Sequence, residues 1–76
     1  YPNPTEGLVY VTASLEKESL IALSLTNALG QIVYSEAIGS ASSFDNTYDW
    51  STLPKGVYTV CLEINNQKTF EKIVLQ

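Results

Sequence analysis

The sequence predicts an all-β fold, an antiparallel β-sandwich of six to seven short strands. Apolar and polar residues alternate with a period of two, turn residues separate the alternating segments, and no segment has helical periodicity beyond one turn. Short strands joined by tight turns are typical of a sandwich, in which each strand buries alternate side chains. The chain has 76 residues, enough for a single small domain spanning residues 1–76. Because it begins with Tyr1 and not Met, we expect it to be a piece of a longer protein.

The first two predicted strands lie in residues 7–13 and 20–26. In both segments the odd-numbered residues are apolar and share one face, so that face is predicted to be buried. Residues 15–19 between them are polar and charged, which indicates a connection. The residues predicted to face inward are Val9, Val11, Ala13, Ile21, Leu23 and Leu25.

A hairpin and a loop follow. Residues 27–30 suit a tight turn, because Asn27 can open it and Gly30 can adopt a positive φ. Residues 31–37 are then the returning strand. The small residues 39–43 predict a short mobile loop. Residues 46–50 form a short strand with both aromatic side chains on one face.

The last third of the chain holds a turn and two strands. Residues 53–56 predict a turn, since Pro presets φ at its second position and Gly closes it. Residues 57–64 have the strongest strand pattern, residues 65–67 form a hairpin turn, and residues 68–75 form the last strand. In the strongest strand the inward-facing residues are Tyr58, Val60, Leu62 and Ile64, and the outward-facing residues include Cys61.

The composition argues against several classes of function. The chain contains no histidine, which removes Ser–His and Cys–His nucleophile pairs and histidine-ligated metal sites. The lone Cys61 cannot form an intrachain disulfide. A net charge of −4 argues against binding to nucleic acid or to an anionic membrane surface. We therefore expect no enzymatic activity, no cofactor and no metal.

One acidic cluster is a candidate calcium site. Asp45, Asn46 and Asp49 are close in sequence and could supply oxygen ligands. The segment lacks the ligand number and the central glycine of an EF-hand loop. A solvated loop beside a strand is the favoured interpretation.

Four motifs extend in order from the first residue to the last. They are Tyr1-Pro2-Asn3-Pro4-Thr5-x-Gly7, Asn27-x-x-Gly30-Gln31-x-Val33, Leu53-Pro54-Lys55-Gly56-Val57-Tyr58 and Lys72-Ile73-Val74-Leu75-Gln76. In this order and spacing, the chain resembles the type A C-terminal sorting domain of the type IX secretion system, the Por secretion family. Each motif is weak alone, and the specificity lies in finding all four in register.

The resemblance implies that the domain is a sorting signal with an immunoglobulin-like sandwich fold. Its partners would be the outer-membrane translocon, a shuttle protein and a sortase. In most cargo the sortase cuts the chain at a point before Tyr1, removes this domain and attaches the cargo to the cell surface. The protein would pass through the periplasm of a Gram-negative bacterium and reach the cell surface or the extracellular space. The sortase supplies its own cysteine, so Cys61 inherits no role.

The resemblance also implies roles for particular residues. Because the family's signal is concentrated at the C-terminal end, and a terminal strand can present its edge to a receptor, we predict translocon recognition by Lys72, Ile73, Val74, Leu75 and Gln76. Ile73 and Leu75 share one face and are alternatively core residues. Gln76 departs from the family pattern, in which the last residue is often basic. Turn or core roles explain the other motif residues, predicted to be mainly structural: Tyr1, Pro2, Asn3, Pro4, Gly30, Gln31, Leu53, Pro54, Gly56 and Tyr58.

A second interpretation is a retained interaction module. In this interpretation the domain is not cleaved and remains attached to its protein. It binds a secretion component, a periplasmic signalling receptor or a second copy of itself as a homodimer. Four apolar residues predicted on the face opposite the core motivate it, because an exposed apolar patch often marks an interface: Leu8, Tyr10, Leu20 and Ile32. No nucleic-acid partner is expected.

Overall fold

The structure, a computed structural model, describes residues 6–76 and is all-β. Its four strands are β1 (Leu8–Thr26), β2 (Ile32–Asp49), β3 (Gly56–Ile64) and β4 (Gln67–Leu75). They pair antiparallel in one sheet with the order β2-β1-β3-β4. This confirms the all-β antiparallel prediction. No helix within the described residues is long and apolar enough to cross a membrane.

The predicted number of six to seven strands is wrong, because two predicted connections lie inside long strands. The polar segment 15–19 is part of β1, and the small-residue segment 39–43 is part of β2. Both coincide with breaks in register: five steps along β1, from Ser14 to Ser19, face only two steps along β2. Such bulges add residues to one strand and bend it without ending the pairing. The sequence pattern therefore indicated where the two strands are irregular, but the prediction that the strands end at these positions is wrong.

The paired ribbon of β1 and β2 folds back on itself. Tyr34 and Tyr48 both belong to β2, and a straight strand at about 3.3 Å per residue would separate them by roughly 46 Å. Their ring centroids lie 5.6 Å apart. The strand therefore doubles back, and Gly39, with a φ of +100°, lies between the two rings along it. Glycine suits this position because a side chain disfavours such a φ.

The folded end of the ribbon covers the sheet near β3 and β4. One cavity of about 190 Å³ is lined by Val9 and Val11 of β1 together with Val60, Leu62 and Ile73. The apolar residues of the early part of β1 thus face those of the last two strands. The structure establishes one four-stranded antiparallel sheet. An immunoglobulin-like sandwich, which the resemblance implies, is a more specific architecture than this sheet alone.

The core follows the predicted parity. Val9, Ile21, Leu23 and Leu25 are buried, as predicted for the odd-numbered residues of β1. The other predicted inward-facing residues of β1 and β3 are buried or pack half-buried against this cluster. The remaining buried residues of this core cluster are Phe44, Tyr48, Trp50, Ile73 and Leu75.

Cys61 lies on the outer face of the sheet, as predicted, yet it is buried. Its neighbours in register are Ser24 on β1 and Phe70 on β4. The residue is 9% exposed, and a strand flanks it on each side. Cys61 is outside the main core cluster and is a free thiol.

Candidate functional site

The last strand carries the residues predicted to be recognised. β4 is at one edge of the described sheet and pairs with β3 from Ile64↔Gln67 to Gly56↔Leu75 without a register break. This regularity places alternate side chains of β4 on opposite faces along its whole length.

The structure divides the five predicted recognition residues into two groups. Ile73 and Leu75 are 0% and 4% exposed and belong to the core, which is the alternative given for them above. Lys72 and Val74 are on the other face, with Lys72 exposed and Val74 half-buried, and Gln76 is exposed just after the strand. In the folded domain, a receptor can therefore contact the side chains of only the second group directly.

The motif before β3 is tied together by its own tyrosine. The Tyr58 hydroxyl donates a hydrogen bond of 2.6 Å to the Pro54 carbonyl, four residues earlier. The Leu53 amide donates to the Trp50 carbonyl at 3.0 Å, and the Leu53 side chain packs on the core. These contacts turn the chain from the end of β2 into β3, starting at Gly56. They support the structural interpretation of this motif.

The turn between β1 and β2 is organised by Asn27. Its Oδ1 accepts hydrogen bonds from the amides of Leu29 and Gln31, and its Nδ2 donates to Gln31 Oε1 at 3.0 Å. Gly30 has a φ of +85° and donates its amide to the Asn27 carbonyl. Side-chain bonds of this kind replace the backbone partners that a turn lacks. Gly30 and Gln31 are thus structural residues of this turn.

Gly7 is the glycine with the strictest steric requirement. A Cβ at this position would be 2.5 Å from the Ser51 Cα, and its φ is +129°. The Gly7 carbonyl accepts the Trp50 amide at 2.8 Å, which fastens the start of β1 to the end of β2. The motif residues Tyr1, Pro2, Asn3 and Pro4 lie outside the described residues.

In the acidic cluster of Asp45, Asn46 and Asp49, side-chain oxygens accept hydrogen bonds from nearby backbone amides. Asn46 Oδ1 accepts from the Thr47 amide, and Asp49 Oδ1 accepts from the Ser51 amide at 3.0 Å. Hydrogen bonds from Ser51 lower the pKa of Asp49, and a hydrogen bond with Asp45 raises the pKa of Tyr10. Among residues 6–76, no group of three or more metal-ligating side chains is positioned to hold an ion.

The exposed apolar residues do not form one patch. Leu20 and Ile32 are 66% and 67% exposed and share the outer face of the sheet with Phe70, whose exposure the sequence did not predict. Leu8 and Tyr10 are also exposed, but they are on the folded end of the ribbon. Since that end faces the sheet with its odd-numbered residues, its even-numbered residues point away on the opposite side of the domain.

The sequence did not predict a cleft of about 460 Å³ at the fold of the ribbon. Its lining includes Tyr34 and Glu36 near the start of β2, Tyr48 and Asp49 at its end, and Trp50 directly after it. A signal was present in the sequence: Glu36 alternates with Tyr34 and Ile38, and the structure pairs it with the buried Leu23, so an acidic residue occupies a core-facing strand position. An acidic side chain at such a position requires a partner.

Comparison with known proteins identifies a family. The sequence model of a protein family described as the secretion system C-terminal sorting domain matches residues 1–76, the whole chain. No curated protein matches.

Proposed function

Since the chain belongs to the family of secretion system C-terminal sorting domains, and is thus a signal for export across the outer membrane by the type IX secretion system, we propose that the translocon reads it at the end of β4. The supporting observation is the division of that strand. Ile73 and Leu75 anchor it in the core, Lys72 and Val74 alternate with them on the other face, and Gln76 is exposed just after the strand. A receptor can thus meet a preorganised surface, which lowers the entropic cost of binding.

Point variants test this proposal better than removal of the last five residues. Truncation would remove Ile73 and Leu75 and expose the core, so lost export could reflect unfolding alone. Replacing a fully buried Ile by Ala costs about 2–5 kcal/mol, a large share of the roughly 5 kcal/mol stability of so small a domain. The informative variants are therefore Lys72→Glu and deletion of Gln76, both at exposed positions.

Lys68→Glu is the matched control. Lys68 is on the same strand and the same face as Lys72, four residues or two repeats of the pleat further from the end, and is also exposed. Each domain is fused behind a signal peptide, a fluorescent reporter and the native linker, and is expressed in a type IX-competent bacterium and in a translocon mutant. We expect surface delivery to fall at least several-fold for Lys72→Glu and to stay normal for Lys68→Glu, at equal thermal stability.

Two outcomes contradict the proposal. Export that is unchanged by Lys72→Glu and by deletion of Gln76 would remove the terminal strand as the recognised surface. Export that follows only the stability of each variant, including Ile73→Val, would make this strand structural and place recognition elsewhere.

We further propose that a sortase removes the domain after export, with a shuttle protein as intermediate partner, and that the cargo passes from periplasm to cell surface or medium. The family membership supports this proposal. A reporter at the surface that has lost the domain and gained lipid is the expected result. A reporter that keeps the domain would overturn it.

The alternative, a retained module that binds a secretion component, a signalling receptor or a second copy, has its own supporting observation. Leu20, Ile32 and Phe70 are more than 60% exposed on one face of the sheet. Exposed apolar side chains on one face are typical of interfaces. In the same fusion assay this function predicts an uncut surface protein, and Leu20→Ser with Phe70→Ser would then weaken partner capture or dimerisation.

Two finer points belong to the proposal. We infer that the domain acts by being bound and not as an enzyme, which the absence of histidine from the sequence supports. We also infer that the folded ribbon supplies the second layer of an immunoglobulin-like sandwich, which the cavity between β1 and the last two strands supports. An experimental structure with no stacking of the ribbon on the sheet would overturn the second inference.

A further inference from the structure

The cleft at the fold of the ribbon is built from three aromatic side chains. Tyr48 and Trp50 stack with ring centroids 5.1 Å apart and an interplanar angle of 14°. Tyr34 meets both at 5.6 and 5.8 Å in edge-to-face geometry. Tyr48 and Trp50 are nearly fully buried, whereas Tyr34 is half-buried. Tyr34 is therefore the most accessible aromatic side chain of the cleft.

A carboxylate is fixed against these rings. Glu36 Oε1 accepts a hydrogen bond of 3.0 Å from the Tyr34 hydroxyl and one of 2.8 Å from the Tyr48 hydroxyl. Burial, and then the bond to Glu36, raises the pKa of Tyr48 to about 12, so that hydroxyl keeps its proton at neutral pH and continues to donate. Both bonds end on the same oxygen, which orients the carboxylate and leaves Oε2 to accept from a ligand.

The charge of the cleft is negative. A second carboxylate, Asp49, is on its rim, and its lowered pKa keeps it ionised at neutral pH. Among the described residues that line the cleft, none is basic. Aromatic rings beside oriented carboxylates attract cations, through the ring quadrupole and through charge-assisted hydrogen bonds.

We propose that this cleft binds an arginine side chain on an exposed segment of a partner protein. A guanidinium group is planar, can donate two bonds to one carboxylate and can stack on an aromatic ring, whereas a lysine ammonium offers only a point charge. All four basic residues of this chain are lysines: Lys17, Lys55, Lys68 and Lys72. The arginine must therefore come from outside these 76 residues, and we assign it to the partner protein. The inference goes beyond the proposed function and does not depend on it.

A direct titration tests the proposal on the 76-residue chain. The probe is the acetylated and amidated tripeptide Gly-Arg-Gly, and the readouts are the fluorescence of the only tryptophan, Trp50, and the NMR signals of its indole N–H and of Thr47 and Thr52, which line the cleft. We expect saturable binding with a Kd of about 1 mM. The same tripeptide with lysine should bind several-fold more weakly. The tripeptide with citrulline, which has the same shape without the charge, should not bind measurably.

Variants locate the binding. Glu36→Gln keeps the size of the side chain and an oxygen for the two hydroxyls, and we expect at least tenfold weaker binding. Asp49→Asn can still accept from the Ser51 amide and should weaken binding less. Glu63→Gln, an acidic position on the sheet's outer face, is the matched control and should bind as the unchanged chain does. Circular dichroism verifies that each variant is folded.

Several results would overturn the inference. They are no saturable shift up to 50-fold above the expected Kd, equal binding of the citrulline peptide, unchanged binding by Glu36→Gln, or stronger binding of the lysine peptide. A neutral oligosaccharide that shifts the same signals while the arginine peptide does not would assign the cleft to a sugar. In parallel, Glu36→Gln in the export assay separates the two proposals, because arginine binding and export are measured independently.

Discussion

The β1–β2 ribbon and the β3–β4 hairpin depend on different kinds of interaction, long-range packing in the ribbon and local turn geometry in the hairpin. The hairpin has two nine-residue strands, a two-residue turn at Asn65 and Asn66, and one unbroken register. The ribbon has strands of 19 and 18 residues, three register breaks and a fold that brings its ends together. Local turn chemistry is sufficient for the first. The second holds its shape only because its far end packs on the sheet and is fastened there.

This difference has a functional counterpart. The hairpin presents the terminal strand, which we propose the translocon recognises, in one unbroken register. The ribbon creates the aromatic cleft, because only its fold brings Tyr34 and Glu36 to Tyr48 and Trp50. We therefore expect changes at the fastening points of the ribbon to cost more than changes in the hairpin turn, and four measurements test this order.

The largest effect is expected for Gly7→Ala. The new Cβ would meet the backbone of Ser51 at 2.5 Å in a conformation that L residues avoid, so the end of the ribbon must shift. We expect a loss of about 3 kcal/mol or more in the free energy of unfolding, measured by urea denaturation with Trp50 fluorescence. Gly30→Ala is the matched control: its φ of +85° is strained but nothing lies within 4 Å, so about 1 kcal/mol is expected. Equal losses would show that the fastening of the ribbon end is unimportant.

A smaller loss is expected at alkaline pH through Tyr48. Its pKa is raised to about 12, first by burial and then by the bond to Glu36, whereas an unfolded tyrosine ionises near pH 10. The neutral form is favoured in the folded state, so this stabilisation is complete below about pH 10 and is lost as the pH rises to about 12. Absorbance titration should show one of the five tyrosines ionising near pH 12. In Tyr48→Phe that late step should disappear, and its persistence would contradict the assignment.

Tyr58→Phe tests the connection between ribbon and hairpin. The substitution removes the 2.6 Å hydrogen bond to the Pro54 carbonyl and keeps the buried ring, so we expect a loss of about 1 kcal/mol. Tyr10→Phe is the control, because Tyr10 is 44% exposed, and a change within about 0.5 kcal/mol is expected. A loss in Tyr58→Phe no larger than in the control would mean that this turn does not depend on its tyrosine.

The smallest effect is a gain in the hairpin turn. Asn66 has a φ of +69°, which glycine adopts without strain, so Asn66→Gly should stabilise the domain by about 0.5 kcal/mol in thermal or urea unfolding. Asn65 has a similar φ, but its Oδ1 also accepts the Leu20 amide at 2.9 Å. Asn65→Gly should therefore be neutral or destabilising. A gain from both substitutions would show that the contact with Leu20 contributes nothing.

Much of the candidate site was predictable and part of it was not. The alternation along the last strand already placed Ile73 and Leu75 on one face, but alternation alone cannot decide which face a short edge strand buries. The aromatic cleft was not predictable in this way, since Tyr34 and Tyr48 are fourteen positions apart and no local pattern brings them together. The available sequence signal was Glu36, an acidic residue that shares strand parity with Tyr34 and Ile38.

The sequence by itself determined the strand class, the turns at Asn27 and Pro54, the inward face of β1 and β3, and the family, because each depends on neighbouring residues or on motif order. Tertiary structure alone decided that the segments 15–19 and 39–43 continue as bent strands. Polar and small residues are equally compatible with a loop and with a bulge. The choice depends on whether the far end of the ribbon gains enough by packing Val9, Phe44 and Tyr48 into the core, a long-range energy that no local pattern contains.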